Sequence, residues 1–467
     1  VATCTKTGVK FFHQRRRMKM KKKLLSLVLV SAMATSMVAC GSGAATTENG
    51  STGSAPAATE GEAGGHKLTL WAWDESFNIP AMQAAAEDYK EVDPEFELEI
   101  ITQSQSSDVE NAITNAGQSG DFSNLADITL LQDHYFQQFC VNYPDAWVSV
   151  DDAGVDWNGL GAEKLSYSTV DGVHYGFPVD AGTAIMAYNT EYLAAAGYTL
   201  DDVQNITWDE FIEIGKKVKE ATGKYLLCMD GSGNDFFYMM CQAEGVSQWK
   251  DGQPYVTENQ TLVDIFTVQA KMAQEGVLYL ANDWGDYTDQ AIVGDMVAGV
   301  YNGNWIIPTI KKVESNAGKW EIVPAPTLTG KPGYASNGGS SLYITSNCQN
   351  TELAKAFLAY TFGGGSAADG TSLTYDNALL NGGVIGTCAA AAKSDVYQAG
   401  VDYFNGQAIY ADIVAYTQTV PVIEQNDYHY TLREKLSNHL ISVVNGEEDI
   451  DAALAAAEQE TVFAMQE

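Results

Sequence analysis

Hydrophobic periodicity divides the first part of the chain into predicted strands and helices. A period of two predicts β-strands at 67–73 and 96–102, and the apolar run 127–131 predicts a third strand. Helical spacing follows each strand, beginning at Pro80 after the first one. This alternation is typical of a parallel α/β sheet, in which ligands bind beyond the carboxyl ends of the strands.

Two pairs of residues predict where helices begin. Ser107 with Glu110, and Thr207 with Glu210, have the spacing of a capping box, in which hydroxyl and carboxylate bond the first helical turn. Gly223 provides a stop for the second helix, because glycine readily adopts the left-handed conformation that ends helices.

The pattern continues into a second α/β unit beyond residue 167. Asp171-Gly172 lies between two β-like runs and predicts a hairpin turn. The roughly 400 residues from Leu68 onward exceed what one hydrophobic core accommodates, so two lobes are expected. Further strands are predicted at 184–189, 225–230, 298–305 and 341–346.

The start of the sequence carries a targeting pattern. Basic residues and the apolar run 24–38 predict a leader and signal peptide over residues 1–39, because the run is shorter than the ~20 residues that span a membrane. Cys40 and its neighbours resemble the lipobox of bacterial lipoproteins, although Met37 stands where Leu is usual. We therefore expect a lipid anchor on Cys40. Few apolar residues occur in 40–65, which predicts a flexible tether.

Charge and cysteine content exclude several protein classes. The formal net charge is −34, and the first 39 residues hold nine of the 26 basic residues and no acidic one. The rest therefore carries 17 basic and 60 acidic residues, a formal −43 that repels nucleic acid and anionic solutes. Five cysteines follow Cys40 without zinc-like spacing, so we expect them to be mostly buried, with room for one disulfide: Cys140, Cys228, Cys241, Cys348 and Cys388.

Three segments carry a resemblance to a known family: YGFPVDAGTAIMAYNTEYL, TWDEFIEIGKKVKE and GVYNGNW. In order and approximate spacing they resemble the family 1 extracellular solute-binding proteins, lipoproteins that capture substrates for ABC importers. The resemblance runs from about Leu68 to the C-terminus. It implies an α/β, two-lobed periplasmic-binding-protein fold, each lobe a mainly parallel sheet flanked by helices, with the ligand in the interlobe cleft.

The same resemblance implies lobe boundaries and a function. The N-lobe would comprise residues 66–180 and 335–395, and the C-lobe residues 181–334 and 396–467. The implied function is extracellular capture of a neutral carbohydrate, an oligosaccharide, and its delivery to ABC permease subunits by lobe closure. We expect a monomer outside the cytoplasmic membrane, with no cofactor and no enzymatic activity.

A sugar site requires particular side chains. An aromatic ring suits the apolar face of the sugar, and carboxylates or amides suit its hydroxyl rim. Trp305 matches the family's tryptophan that stacks on the sugar, and Asn302 lies in the turn before it. Residues at predicted strand ends and in loops complete the expected substrate-binding set: Trp73, Asp74, Glu75, Asp133, Asp180, Asp235, Trp284, Gly339 and Tyr428.

Structural roles remain open for several of these residues. Trp305 could instead be a core tryptophan. Asp133 and Asp180 could each be a helix cap or a turn residue, and Gly339 could belong to an ordinary turn. Arg433 is expected to pair with a surface carboxylate, although the family it resembles sometimes uses an arginine here for the ligand.

Two other functions remain as alternatives. One is a binder of another small solute, a polyamine or iron, and iron would favour a Tyr/His cluster such as 428–430. The other is a surface glycoside hydrolase, which needs only two carboxylates about 5–10 Å apart. The sequence has no GxSxG, HExxH or P-loop motif, and its six histidines are scattered singly, so neither catalysis nor a metal site is expected.

Overall fold

The structure, a computed structural model, describes residues 65–466. The predicted leader, the lipidation site Cys40 and the tether up to residue 64 lie outside the described residues. Within the described range, no helix is both long enough and apolar enough to cross a membrane.

Strands and helices alternate through most of the described chain. The strands are β1 Lys67–Ala72, β2 Glu97–Thr102, β3 Ile128–Gln132, β4 Thr169–Val170, β5 Val173–His174, β6 Gly176–Asp180, β7 Ala184–Asn189, β8 Leu227–Asp230, β9 Trp249–Lys250, β10 Gln253–Pro254, β11 Leu278–Ala281, β12 Gly299–Gly303, β13 Trp320–Val323 and β14 Ser340–Ile344. The α-helices are α1 Asn78–Tyr89, α2 Ser106–Ser119, α3 Asp133–Asn142, α4 Ala162–Ser168, α5 Thr190–Ala195, α6 Trp208–Thr222, α7 Asp235–Ala243, α8 Gln260–Gln274, α9 Ile307–Lys311, α10 Thr351–Tyr360, α11 Leu373–Gly382, α12 Asp395–Gln398, α13 Ile409–Thr417, α14 His429–Val444 and α15 Ile450–Ala464.

The first sheet has the strand order β2-β1-β3-β14-β6. β1 pairs in parallel with β2 and β3, as the alternating pattern predicted. β14 pairs antiparallel with both β3 and β6, so the other four strands run in one direction. The carboxyl ends of β1, β3 and β6 consequently reach the same edge of the sheet, where the following loops come together.

The second sheet is built in the same way around one reversed strand. β7 pairs antiparallel with β12 and β13, while β8 and β11 form a parallel pair. A parallel bridge between Tyr225 and Val297 joins the β8–β11 pair to the segment that enters β12. In each group of five strands, four strands therefore run in one direction and one runs opposite, and the mixture of helices and sheets agrees with the expected α/β fold class.

Two segments carry the chain between the sheets, and they pair with each other. Thr183 and Ser336 form an antiparallel bridge, and the amide of Asn337 donates to the carbonyl oxygen of Gly182 at 2.7 Å. Gly182 has a positive φ of 54°, and a Cβ atom there would collide with the backbone of Gly338. Glycine is thus required where the two segments approach most closely. The lobe boundaries drawn near these segments stay a prediction.

The local predictions differ in outcome. Thr207 and Glu210 form the expected capping box, and Gly223 ends that helix with φ of 75°. The box at Ser107 and Glu110 is wrong, because α2 begins at Ser106, which places Ser107 inside the helix, and its N-cap residue Gln105 makes no side-chain cap. The hairpin at 171–172 is present between β4 and β5. The five cysteines in the described range are all buried and free, so they form no disulfide with one another.

Candidate functional site

A cavity of about 270 Å³ lies where the strand ends of the first sheet face elements of the second. The first sheet contributes the loops after β1, β3 and β6, and the second contributes the turn after β12 and the start of α7. The crossing segment before β14 and the first turn of α14 close it. Its lining consists of Trp73, Asp74, Phe77, Asn78, Gln132, His134, Asp180, Asp235, Trp305, Asn337, Gly338, Gly339, Ser340 and Tyr430.

Aromatic rings form part of the wall. Trp305 is half-buried, and its indole nitrogen donates to the carbonyl oxygen of Asn337 at 2.7 Å, which fixes the orientation of the ring. Trp73 reaches the cavity from the end of β1. Trp284 lies one layer behind, its ring centroid 5.6 Å from that of Trp305, and remains 45% exposed without lining the cavity. Two flat apolar surfaces therefore face a polar rim.

The second-sheet side of the cavity is a chain of hydrogen bonds. Asn337 donates to Asp235 at 3.0 Å and to Asn302 at 2.9 Å, and Asn302 in turn donates to the Tyr287 hydroxyl at 3.0 Å. Arg433 donates to Asp235 at 2.9 Å. Asn302 therefore supports the wall from behind, while Asp235 and Asn337 face the cavity.

Arg433 contradicts the expectation of a surface ion pair. It is 3% exposed, and its guanidinium group lies 3.8 Å from the ring centroid of Tyr238 and 4.9 Å from that of Tyr430. The apolar stem and planar head of arginine suit such a stacked, buried position. Arg433 thus fixes Asp235 from below the wall.

On the first-sheet side, a buried ion pair supports the cavity. Lys164 lies 3.0 Å from Asp133, whose other oxygen accepts from the Ser341 hydroxyl at 2.8 Å. Asp133 is 2% exposed and does not line this cavity. Gly339, which lies directly against the ion pair, does line it. Burial opposes the charge on Lys164, but the carboxylates of Asp133, Glu163 and Asp180 outweigh it and raise its pKa.

Asp74 and Glu75 have different positions although they are neighbours. Asp74 lines the cavity in a left-handed conformation, with φ of 66°, and its Oδ1 accepts from the Ser76 amide at 2.9 Å. Glu75 is exposed and does not line the cavity. The turn after β1 explains this, because only one of the two consecutive side chains points back toward the sheet edge.

The aromatic residue from α14 is Tyr430 rather than the expected Tyr428. Tyr428 precedes the helix and packs against the core of the second sheet. Tyr430 and Arg433 are three residues apart on α14, which places them on one helical face toward the cavity. Recognising the helix start at His429 would have identified this face from the sequence.

Several lining residues were missed by sequence reasoning. Asn78 is 4% exposed, and its Oδ1 has no hydrogen-bond partner among the described residues. Buried carbonyl oxygens are nearly always bonded, so this atom is an unpartnered acceptor in a residue that lines the cavity. Burial, followed by the charges of His429 and Arg433, holds the pKa of His134 well below its usual range, so this imidazole is neutral.

In the described part of the chain, no group of three or more metal-ligating side chains is placed to hold an ion.

Comparison with known proteins identifies relatives of the whole architecture. Residues 84–375 match the family model of the bacterial extracellular solute-binding proteins. The lactose-binding protein of Rhizobium radiobacter is 30% identical over 405 residues, which cover 86% of this chain and 93% of the relative. The arabinooligosaccharide-binding protein of Halalkalibacterium halodurans is 25% identical over 315 residues, which cover 64% and 67%.

Solved structures support the same fold. The ABC-transporter-associated binding protein of B. animalis subsp. lactis Bl-04, in complex with β-1,6-galactobiose, has a TM-score of 0.64 at 20% identity, covering 86% of this chain and 98% of that one. The sugar-binding protein MalE of Xanthomonas citri has a TM-score of 0.68 at 15% identity, covering 86% and 98%. At these sequence identities, both comparisons show a similarity of fold. The family match over residues 84–375 and the relative at 30% identity show that this chain belongs to the bacterial extracellular solute-binding proteins.

Proposed function

We propose that this protein captures a neutral carbohydrate, an oligosaccharide, outside the cytoplasmic membrane and delivers it to the permease of an ABC importer. The observation that carries the proposal is the composition of one cavity wall, where Trp73 and Trp305 face the same space as three acidic and several amide side chains. Indole rings suit the apolar face of a pyranose, and carboxylates suit pairs of neighbouring hydroxyl groups.

The charges around the cavity favour a ligand without negative charge. Lys164 and Arg433, the cations nearest the wall, are already engaged by Asp133 and Asp235. A phosphate or carboxylate ligand would therefore lie next to acidic side chains while both of these cations are already paired. The cost of desolvating the anionic ligand would not be offset by a new ion pair with either of them. Relatives named for lactose, arabinooligosaccharides and maltodextrin support the same class of ligand.

The proposed contacts follow from the lining. Trp73 and Trp305 stack on sugar rings, while Asp74, Asp180 and Asp235 bond the hydroxyl rim. The Oδ1 atom of Asn78 accepts from one further hydroxyl group, since a buried acceptor without a partner gains most from a ligand donor.

Lobe closure is the proposed means of capture. The lining comes from both sheets, and the paired crossing segments at 182–183 and 335–337 are the connections about which the sheets would move. A ligand that contacts both sides stabilises the closed form through its differential affinity. The permease then recognises that closed form.

We also propose that the protein acts as a monomer attached to the membrane by a lipid on Cys40, with residues 41–65 as the tether. The lipobox-like residues before Cys40 support this. Labelled palmitate should be incorporated into the wild-type protein in cells and not into Cys40→Ala. Equal labelling of both proteins would contradict the anchor.

Polyamine binding is the second candidate, because acidic and aromatic side chains also suit a linear polycation. Iron has less support, since the Nδ1 atom of His429 bonds the carbonyl oxygen of Asn426 and Tyr428 packs in the core. Binding without hydrolysis is proposed in preference to glycosidase activity, because the matching family model and the similar curated proteins are those of binding proteins.

A thermal-shift screen of the mature protein tests the proposal. The panel comprises lactose, β-1,6-galactobiose, arabinooligosaccharides, maltodextrins, spermidine and ferric citrate. A ligand at 100 times its Kd stabilises the folded state by about 2.7 kcal/mol, which raises the melting temperature measurably. A shift with a saccharide supports the proposal. A shift with spermidine or ferric citrate alone, or release of smaller sugars from a bound saccharide, would contradict it.

A further inference from the structure

A buried cluster of ionisable side chains adjoins the ligand cavity. Asp133, Glu163 and Asp180 are acidic, Lys164 is basic, and each is at most 6% exposed. The lysine is engaged by Asp133, 3.0 Å away, and by the carbonyl oxygen of Gly338. Three carboxyl groups therefore lie around one cation, at positions where burial opposes charge.

Asp180 is the member of this cluster that reaches the ligand. It ends β6 opposite Ser340 of β14, and its side chain lines the cavity. Asp133 has both Lys164 and the Ser341 hydroxyl as partners, whereas no ion pair to Asp180 is present among the residues that the structure describes. Among the described residues, Asp180 is thus a buried carboxyl group of this cluster that lines the cavity and has no ion pair.

We propose that Asp180 acts in the ligand cavity as a neutral carboxylic acid, which donates a hydrogen bond to an acceptor oxygen of the bound sugar. This role rests on the proposed carbohydrate-binding function. A protonated carboxyl group supplies an O–H donor, whereas ionised carboxylates can only accept. Burial, followed by the charge of Asp133, raises the pKa of Asp180 to about 7, against the opposing effect of Lys164.

Neighbouring elements present further ionisable groups to Asp180. Lys164 stays protonated because the surrounding carboxylates raise its pKa, and its charge opposes the burial that raises the pKa of Asp133. His134 stays neutral because its pKa is well below the usual range. The titratable groups around Asp180 are Asp133 and His134 on α3, Glu163 and Lys164 on α4, Tyr430 on α14, and Asp74 and Asp235 across the cavity, with the Ser340 hydroxyl on β14 beside them.

A proton-dependent donor makes ligand affinity depend on pH. The apparent Kd equals the intrinsic value divided by the protonated fraction of Asp180, which falls about tenfold between pH 6 and pH 8 for a pKa of about 7. Binding should therefore be about tenfold weaker at pH 8. At pH 7 about half a proton should be taken up per ligand bound.

Calorimetry with lactose and β-1,6-galactobiose at pH 6, 7 and 8, in buffers of different ionisation heat, tests this role. Asp180→Asn keeps a neutral donor, so it should bind with an affinity near that of the wild type at pH 6 and lose the pH dependence. Asp74→Asn is the matched control: it should weaken binding at every pH and keep the tenfold change. Constant wild-type affinity, or loss of binding in Asp180→Asn at pH 6, would overturn the inference.

The melting temperature without ligand provides an independent measurement. An acid whose folded pKa is raised binds more protons when folded, so its contribution to stability falls as the pH rises from about 4 to about 7. The Asp180→Asn variant has no such titrating group and does not lose this stability. The difference between its melting temperature and that of the wild type should therefore increase from pH 5 to pH 8. A constant difference would overturn the neutral-acid role. If the difference increases but no saccharide of the thermal-shift panel binds, the proton assignment stands and the carbohydrate proposal fails.

Discussion

Asp133 and Lys164 form an ion pair of 3.0 Å in which the side chains are 3% and 0% exposed. The pair lies on the protein side of the cavity wall, beneath Gly339 and next to Asp180. It neutralises the strand-end carboxylate of β3 and anchors the crossing segment through the bond from Lys164 to Gly338. The ion pair is present without a ligand. Its removal should therefore affect folding as well as binding.

Lys164→Met should destabilise the protein by about 3–5 kcal/mol, because Asp133 would remain as a buried charge without a partner. Lys90→Met is the control, since its pair with Glu87 is exposed and should contribute less than about 1 kcal/mol. Urea unfolding at pH 7 measures both. Similar unfolding midpoints for the two variants would contradict the buried-pair interpretation.

Gly339→Ala should be more destabilising than Gly197→Ala, although both positions have positive φ, of 107° and 87°. A Cβ atom at Gly339 would lie 2.6 Å from Asp133 Oδ2 and collide with Lys164, whereas nothing lies within 4 Å of one at Gly197. Backbone strain is common to both, and overpacking adds about 1–3 kcal/mol at Gly339 alone. Equal unfolding free energies for the two variants would show that Asp133 and Lys164 can shift to make room for the Cβ atom without loss of stability.

Asn78→Ala should separate binding from folding. The unliganded protein loses a buried oxygen that has no partner, so its unfolding free energy should change by less than about 1 kcal/mol. The complex loses a hydrogen bond, so the Kd for the best saccharide should increase about 5- to 10-fold. Denaturation and calorimetry on the same preparation measure the two effects. An unchanged Kd would show that Asn78 does not contact the ligand.

Local patterns allowed much of the fold to be predicted from the sequence. The strands at 67–73 and 127–131 follow from periodicity, and the Thr207 box and Gly223 from capping chemistry, because these signals act over a few residues. Strand ends in a parallel sheet meet at one edge, which is why Trp73 and Asp180 reach the same cavity.

Contacts between distant residues were not predictable in this way. Lys164 meets Asp133 across 31 positions, and Arg433 meets Asp235 across 198, so only the tertiary arrangement makes them partners. Tyr430 replaced Tyr428 because a difference of two residues at a helix start turns the side chain to another face.

Calorimetry of the best saccharide with Trp305→Ala tests the central claim, carbohydrate capture on a stacking tryptophan, most directly. Loss of the indole should cost about 1–3 kcal/mol, which is about a 10- to 100-fold increase in Kd. Trp157→Ala, whose ring stacks on His174 and does not line the cavity, should bind like the wild type. Wild-type affinity in a folded Trp305→Ala variant would contradict the account.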